Sequence, residues 1–314
     1  MTREQFTGCL LGLALGDALG APYEGGLFER LVWRMIGNTK QGKIRWTDDT
    51  QMAIDLAESL LEAGSLDCDG LARRFAASYR WSRGYGPGTA KLLKLILRGD
   101  DWRIANRSVY PNGSFGNGGA MRAPVIGLFF SERPDELSEA ARLSASVTHA
   151  HALGIEGTVL LASAIAGAIR SKTASEIMTN AAASCEQEEF TSRMALATSW
   201  LQAGDAPAAT EVARRLGNGI AASESCVTAL YVGLRFLEKS FEEMIAFIIR
   251  CGGDVDTIGS MAGAVWGASR GNSSLPHEQL DRLEDRIRLE RIAHALHEKI
   301  SAGSVDQQSR PRNN

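Results

Sequence analysis

The chain has 314 residues, 44% of them hydrophobic and 23% charged, with 34 Lys+Arg against 37 Asp+Glu and a formal net charge of −3. These values describe a globular protein large enough to bury a substantial core, and they exclude a disordered or fibrous chain. The near balance of charge removes any electrostatic reason to expect nucleic acid or an anionic membrane as partner.

With 43 alanines and only 7% aromatic residues, the composition favours close-packed helices over sheets. Residues 6–16 (FTGCLLGLALG) resemble a signal-peptide core. Glu4 offsets Arg3, however, and Asp17 stands where a cleavage region would begin, so the segment reads as a buried first helix. Met52, Ala53, Leu56, Ala57, Leu60 and Leu61 form an apolar stripe at helical spacing, closed by Gly64. Leu71, Phe75, Tyr79 and Ser82 continue the period, and Leu92, Leu93, Ile96 and Leu97 repeat it up to Gly99. Further helices are expected over 137–152, 154–170, 191–203, 208–216, 223–239 and 241–250. Leu280, Leu283, Ile287, Ile292 and Leu296 mark a last helix with a charged opposite face. The longest other apolar stretch, 158–169, is short of the roughly 18 residues of a membrane span. No convincing strand alternation occurs, so the expected fold is all-α, one compact multi-helix domain over 1–300 followed by a disordered tail over 301–314.

The five cysteines (Cys9, Cys68, Cys185, Cys226 and Cys251) are odd in number, widely spread and without a C-x-x-C pair. Neither a zinc knuckle nor a disulfide framework is expected, and a reducing cytoplasm fits best.

Three constellations could carry chemistry. Thr47-Asp48-Asp49-Thr50 and Asp254-Val255-Asp256-Thr257 are acidic pairs followed by Thr, each opening a helix. Helix capping explains a single such pair. Here, though, two adjacent carboxylates exceed what one cap can use, and the second pair follows Cys251-Gly252-Gly253, where the backbone can turn sharply. Carboxylates packed together raise each other's pKa unless a cation lies between them. Oxygen ligands without nearby His or Cys select a hard cation such as Mg²⁺ or Mn²⁺.

The second constellation is 112–122 (NGSFGNGGAMR), which matches neither a dinucleotide fingerprint nor a Walker A loop. It offers backbone amides free of side-chain obstruction, leading into a helix near Gly119, a nest suited to phosphate. The third is His149 and His151, whose side chains would point apart on a helix, so an imidazole facing substrate fits better than a zinc site. Asp17, at the end of an apolar helix, calls for a structural partner, and Glu24 is expected at a cleft.

Together these segments resemble the ADP-ribosylglycohydrolases. The resemblance is carried by GDALGAPYE at 16–24, WTDDTQMA at 46–53, GSFGNGGAMR at 113–122, THAHALG at 148–154 and CGGDVDTIGSMAGA at 251–264, in the family's order. It spans residues 6–270 and implies an all-α fold with a two-metal centre of Mg²⁺ or Mn²⁺. The implied ligands are Thr47, Asp48, Asp49, Asp254, Asp256 and Thr257, with Glu24 at the edge and Glu24, Asp48, Asp49 and Asp256 in catalytic roles. Gly113, Ser114, Phe115, Gly116, Asn117, Gly118 and Gly119 would wrap the diphosphate and adenosine, Phe115 would stack on adenine, and His149 would line the cleft.

The implied activity is removal of ADP-ribose from modified proteins by a monomeric cytoplasmic enzyme, with arginine as the expected linkage and serine or O-acetyl-ADP-ribose as alternatives. The main rival is a module that holds ADP-ribose without turning it over, including a toxin-immunity protein. Residues 25–45 carry aromatic and basic groups suited to such a protein partner. A two-metal phosphohydrolase would bring His–Asp ligand pairs, and the chain has no His-Asp dipeptide.

Overall fold

The structure is a computed structural model that describes residues 1–308. Its α-helices are α1 (Arg3–Gly20), α2 (Leu27–Ile36), α3 (Asp48–Ala63), α4 (Cys68–Ser78), α5 (Pro87–Leu97) and α6 (Trp102–Val109). Then come α7 (Ala123–Phe129), α8 (Pro134–Ser146), α9 (Ala152–Ile169), α10 (Ala174–Ala182), α11 (Glu188–Ala203) and α12 (Ala209–Leu216). The chain closes with α13 (Ala222–Arg235), α14 (Phe241–Cys251), α15 (Val255–Arg270), α16 (His277–Arg282) and α17 (Arg286–Gln308). Among the described residues there is no sheet, only isolated bridges such as Gly116 to Ala221. The all-α single domain expected from the sequence is therefore what forms.

The centre of the molecule is an antiparallel pair, α1 against α15, and the reason lies in glycine spacing. Gly8, Gly12, Gly16 and Gly20 recur every four residues on α1, and Gly259, Gly263 and Gly267 do the same on α15. Residues four apart lie on one helix face, so each row is a smooth groove. A Cβ built on Gly12 would lie 2.2 Å from the Gly263 carbonyl oxygen, and one on Gly16 would lie 2.0 Å from that of Gly259. The two backbones thus touch with no side chain between them. Around this pair pack the buried Phe6, Leu11 and Leu13 of α1, Trp266 of α15 and Tyr231 of α13.

Several local expectations change. The single helix expected over 137–152 is broken: α8 ends at Ser146 and α9 starts at Ala152, with the His151 side chain accepting the Leu153 amide at 3.2 Å as N-cap. Neither His149 nor His151 therefore sits on a helix. The apolar segment expected over 158–169 belongs to an 18-residue helix, α9, with mean hydropathy 1.8. It meets the length and hydropathy of a membrane span, but 78% of it is buried against other helices, as suits a core helix. Of the tail expected to be disordered from 301, α17 runs as far as Gln308, and 309–314 lie outside the described residues.

Candidate active site

Asp48 and Asp49 open α3, where Thr47 is the N-cap and its Oγ1 accepts the Asp49 amide at 3.3 Å. What fixes this helix end is Asp17 of α1, whose buried carboxylate accepts the amides of Thr47 (3.0 Å) and Thr50 (3.1 Å) and the Thr50 hydroxyl (2.6 Å). The structural partner expected for Asp17 is thus the first turn of α3. Burial holds its pKa at about 6 against these hydrogen bonds, which pull it down.

The second pair stands at the start of α15. Gly252 and Gly253 both have positive φ, at 66° and 77°, and a Cβ on Gly253 would lie 2.0 Å from the Asn218 carbonyl oxygen. Only glycine fits there, and the turn lets the Asp254 amide donate to that same carbonyl at 2.8 Å. Because the α1–α15 contact brings Gly20 against the Asp256 backbone, Glu24, a few residues beyond α1, reaches the α15 start. Carboxylate oxygens of Glu24, Asp254 and Asp256 lie within 4.8 Å of one another.

The two helix starts meet at Asp49. Its Oδ2 accepts the hydroxyls of Thr47 (3.2 Å) and Thr257 (3.4 Å), one from each side. Its Oδ1 is buried and has no hydrogen-bond partner. An ionised oxygen in that position is costly unless a cation meets it. Asp48, Asp49 and Asp256 all have pKa values driven well up, first by burial and then by the charges of the other carboxylates, Asp17, Glu24 and Asp254 among them. Asp254 is pushed to about 6 by burial and by Glu24. Buried carboxylates crowded in this way, one with an orphaned oxygen, fit hard divalent cations.

A stability test follows from these shifts. In the unfolded chain the carboxylates titrate near 4, so between roughly pH 4 and 7 the folded, cation-free protein binds more protons than the unfolded one. Stability in EDTA should therefore fall as pH rises through that window. Mg²⁺ or Mn²⁺ at pH 7.5 should raise Tm by favouring the ionised cluster, and that rise should shrink at pH 5. A Tm indifferent to both cations would count against a metal site here.

Across the cleft stands the glycine-rich loop. Ser114, Gly116, Asn117 and Gly118 line the same cleft as Glu24, Asp48, Asp49, Asp254, Asp256, Thr257 and His149. The remaining expected loop residues do other work. Gly113, at φ 79°, packs on the backbone of Ala150 and His151, and Gly119 faces Thr158 and Ala145. Phe115 is 52% exposed and meets His151 edge-on at 6.1 Å, outside the cleft lining. The Asn117 amide group is turned to Asp254 Oδ2 (2.5 Å) and Ser225 Oγ (3.0 Å), so it orients a carboxylate instead of facing the ligand.

The loop amides are less free than expected: those of Gly113, Gly116 and Asn117 are already bonded to Tyr110 O, Ser114 Oγ and Ile220 O. A 3₁₀ turn over Asn117–Gly119 follows, and the helix begins only at Ala123, because Arg122 and Pro124 set its start. His149 is buried and paired through Nδ1 with Thr148 Oγ1 at 2.8 Å. Burial, and then the Arg122 charge, lower its pKa to about 3, so it presents a neutral ring to the cleft.

Further residues of the site were given no role in it by sequence reasoning. Gly84, Gly86 and Gly88, with Thr89, form one cleft wall, and Tyr110 and Ile220 stand at its edge. Arg83, just before that wall, donates to Trp46 O at 2.8 Å and to both Glu284 oxygens at 2.7 and 3.1 Å. It also stacks on the Trp46 ring at 3.4 Å, clamping the segment that leads into Thr47 and Asp48. The repeating glycines of α1 and α15 were equally readable, since a four-residue period is visible without a structure.

An all-helical fold with crowded carboxylates from two helix starts, facing a glycine-rich loop, has the donor set of a site for hard divalent cations. The ADP-ribosylglycohydrolase family model matches residues 1–305. The chain is 33% identical over 339 residues to the ADP-ribosylhydrolase ARH3 of Bos taurus, covering 94% of this chain and 92% of that one. It is likewise 33% identical over 339 residues to the ADP-ribosylhydrolase ARH3 of Homo sapiens, with 94% and 93% covered. A solved structure described as an ADP-ribosylglycohydrolase-related protein complex superimposes with a TM-score of 0.71 at 28% identity, covering 95% of this chain and 98% of that one. The chain belongs to the ADP-ribosylglycohydrolase family, and it is a glycosyl hydrolase acting in ADP-ribose removal.

Proposed function

We propose that this enzyme releases ADP-ribose from a hydroxyl-linked acceptor, serine in a protein or O-acetyl-ADP-ribose, using two divalent cations, Mg²⁺ or Mn²⁺. The carrying observation is that every carboxylate lining the cleft among the described residues, namely Glu24, Asp48, Asp49, Asp254 and Asp256, belongs to the one crowded cluster. With the four aspartates committed to cations and Glu24 facing the attacking water, no carboxylate is left to hold a guanidinium, which an arginine acceptor would present. The rim is instead Gly84, Gly86, Pro87, Thr89, Tyr110 and Ile220, which suits a neutral acceptor. Arginine, the linkage expected from the sequence, is the alternative acceptor.

Asp48, Asp49, Asp254 and Asp256 would hold the cations, with the Thr47 and Thr257 hydroxyls that now donate to Asp49 completing the set. Bound there, divalent cations supply Lewis acidity, positioning the ribose hydroxyls and lowering the pKa of a bound water. Asn117 keeps Asp254 oriented, and Asp17 keeps the α3 start in place. Glu24 is half-buried at the edge of the cluster, where a carboxylate can accept the proton of the attacking water as positive charge develops on the ribose. Ser114, Gly116 and Gly118 offer contacts remote from the reacting carbon, whose binding energy can be used for orientation.

The test is release of free ADP-ribose from serine-linked, arginine-linked and O-acetyl substrates, with Mg²⁺, Mn²⁺ or EDTA. Cation-dependent release from the hydroxyl-linked substrates is expected. Release from the arginine substrate alone would overturn the acceptor assignment, and tight ADP-ribose binding without turnover would overturn the catalytic one.

A further inference from the structure

Arg122 lies at the end of the glycine-rich loop and is fully buried. Its guanidinium donates to the carbonyls of Gly118 (2.7 Å) and Ser144 (2.8 Å) and to Thr148 Oγ1 (2.9 Å), while its Nε is buried without a partner. The Phe75 ring closes the other side, 4.8 Å from the guanidinium carbon. Among the described residues Arg122 has no carboxylate partner at all. That is unusual, because burying a charge is expensive and buried charges are normally paired. Three donations exceed what any uncharged side chain can make, so bracing the loop accounts for the guanidinium fork but not for a buried charge left without a carboxylate.

The position of the charge does account for it. Gly118, whose carbonyl Arg122 grips, lines the cleft, and so does His149, whose neighbour Thr148 Arg122 also grips. The guanidinium therefore stands one residue behind the wall facing the ligand, in a medium where its field is weakly screened. On the opposite side the carboxylate cluster would repel an anionic ligand until cations neutralise it. Burial lowers the Arg122 pKa only to about 9, so the charge persists at neutral pH.

We propose that Arg122 is a positioning residue whose unpaired buried charge attracts the diphosphate of the ligand through the Gly118 wall, making the site select anionic over neutral adenosine derivatives. This rests on the ADP-ribose reading above. The charge needs no contact with the ligand, which explains why a cationic residue can serve an anion site while absent from its surface.

The experiment compares binding of ADP-ribose, ADP and adenosine by calorimetry in Mg²⁺, for wild type, Arg122→Lys, Arg122→Gln and Ser144→Asp. Gln keeps two donors and no charge. Ser144→Asp leaves Arg122 in place but puts a carboxylate on the residue whose backbone carbonyl it grips, and so covers the case in which Arg122→Gln fails to fold. Both Arg122→Gln and Ser144→Asp should weaken ADP-ribose and ADP by about 10- to 100-fold, the effect of one charge at intermediate range in a protein interior. Adenosine should be nearly unaffected, Arg122→Lys should stay close to wild type, and KM should rise more than kcat falls. Equal losses for charged and neutral ligands would show a merely structural brace and overturn the inference. Wild type that fails to bind ADP-ribose would overturn the reading on which it rests.

Discussion

Asp256→Ala is expected to lower ADP-ribose release by about 10²- to 10³-fold or more, the scale of removing one electrostatic stabiliser from a reacting centre. Asp256 is buried, shares the cluster with Glu24 and Asp254, and has its pKa driven up by both. On the proposed reading, removing it takes away a cation ligand and also some of the repulsion among its neighbours. The two effects oppose each other in stability and agree in activity. Cation-free Asp256→Ala should therefore melt no lower than wild type, and added Mg²⁺ or Mn²⁺ should raise its Tm less. Activity would be followed by ADP-ribose release, and folding by thermal melts with and without EDTA. Retained cation-dependent turnover in the variant would remove Asp256 from the machinery.

Gly12→Val should be strongly destabilising, costing about 3 kcal/mol or more, the upper range for overpacking. The Cβ alone would sit 2.2 Å from the Gly263 carbonyl oxygen, a backbone atom that cannot rotate away. Relief requires α1 and α15 to separate, and that would also part Asp17 and Glu24 from Asp256. Activity should fall with stability in this variant even though Gly12 lies outside the cleft lining. Gly86→Ala is the control: its Cβ would meet nothing within 4 Å, so stability should change by less than about 0.5 kcal/mol. Urea unfolding of the two variants checks both expectations. A Gly12→Val protein as stable as wild type would mean the helices are not held in backbone contact.

Most of the helices were legible because an apolar stripe of period 3.6 is a local signal. The α3 stripe ending at Gly64, whose φ is 75°, is a clear case. The failures were also local in cause. The break between α8 and α9 falls at Val147-Thr148-His149-Ala150-His151, a segment with neither Gly nor Pro, where His151 caps α9 and Arg122 donates to Thr148. The α1 and α15 glycines were legible but unread, since their meaning depends on a partner helix far away in sequence.

For the site, the sequence alone determined which residue types were present and in what order: two acidic pairs at helix starts and a glycine-rich loop. These are properties of short segments, and short segments carry their own backbone preferences. Tertiary structure decided which of them act together. Asp49 receives Thr47 and Thr257 because glycine-lined helices let α1 and α15 touch, and Asn117 turns to Asp254 because Gly253 bends the chain against Asn218. It also decided that Arg122 carries its charge unpaired behind the cleft wall, since burial and the absence of a partner are properties of the space around a side chain, and a linear sequence does not contain that space.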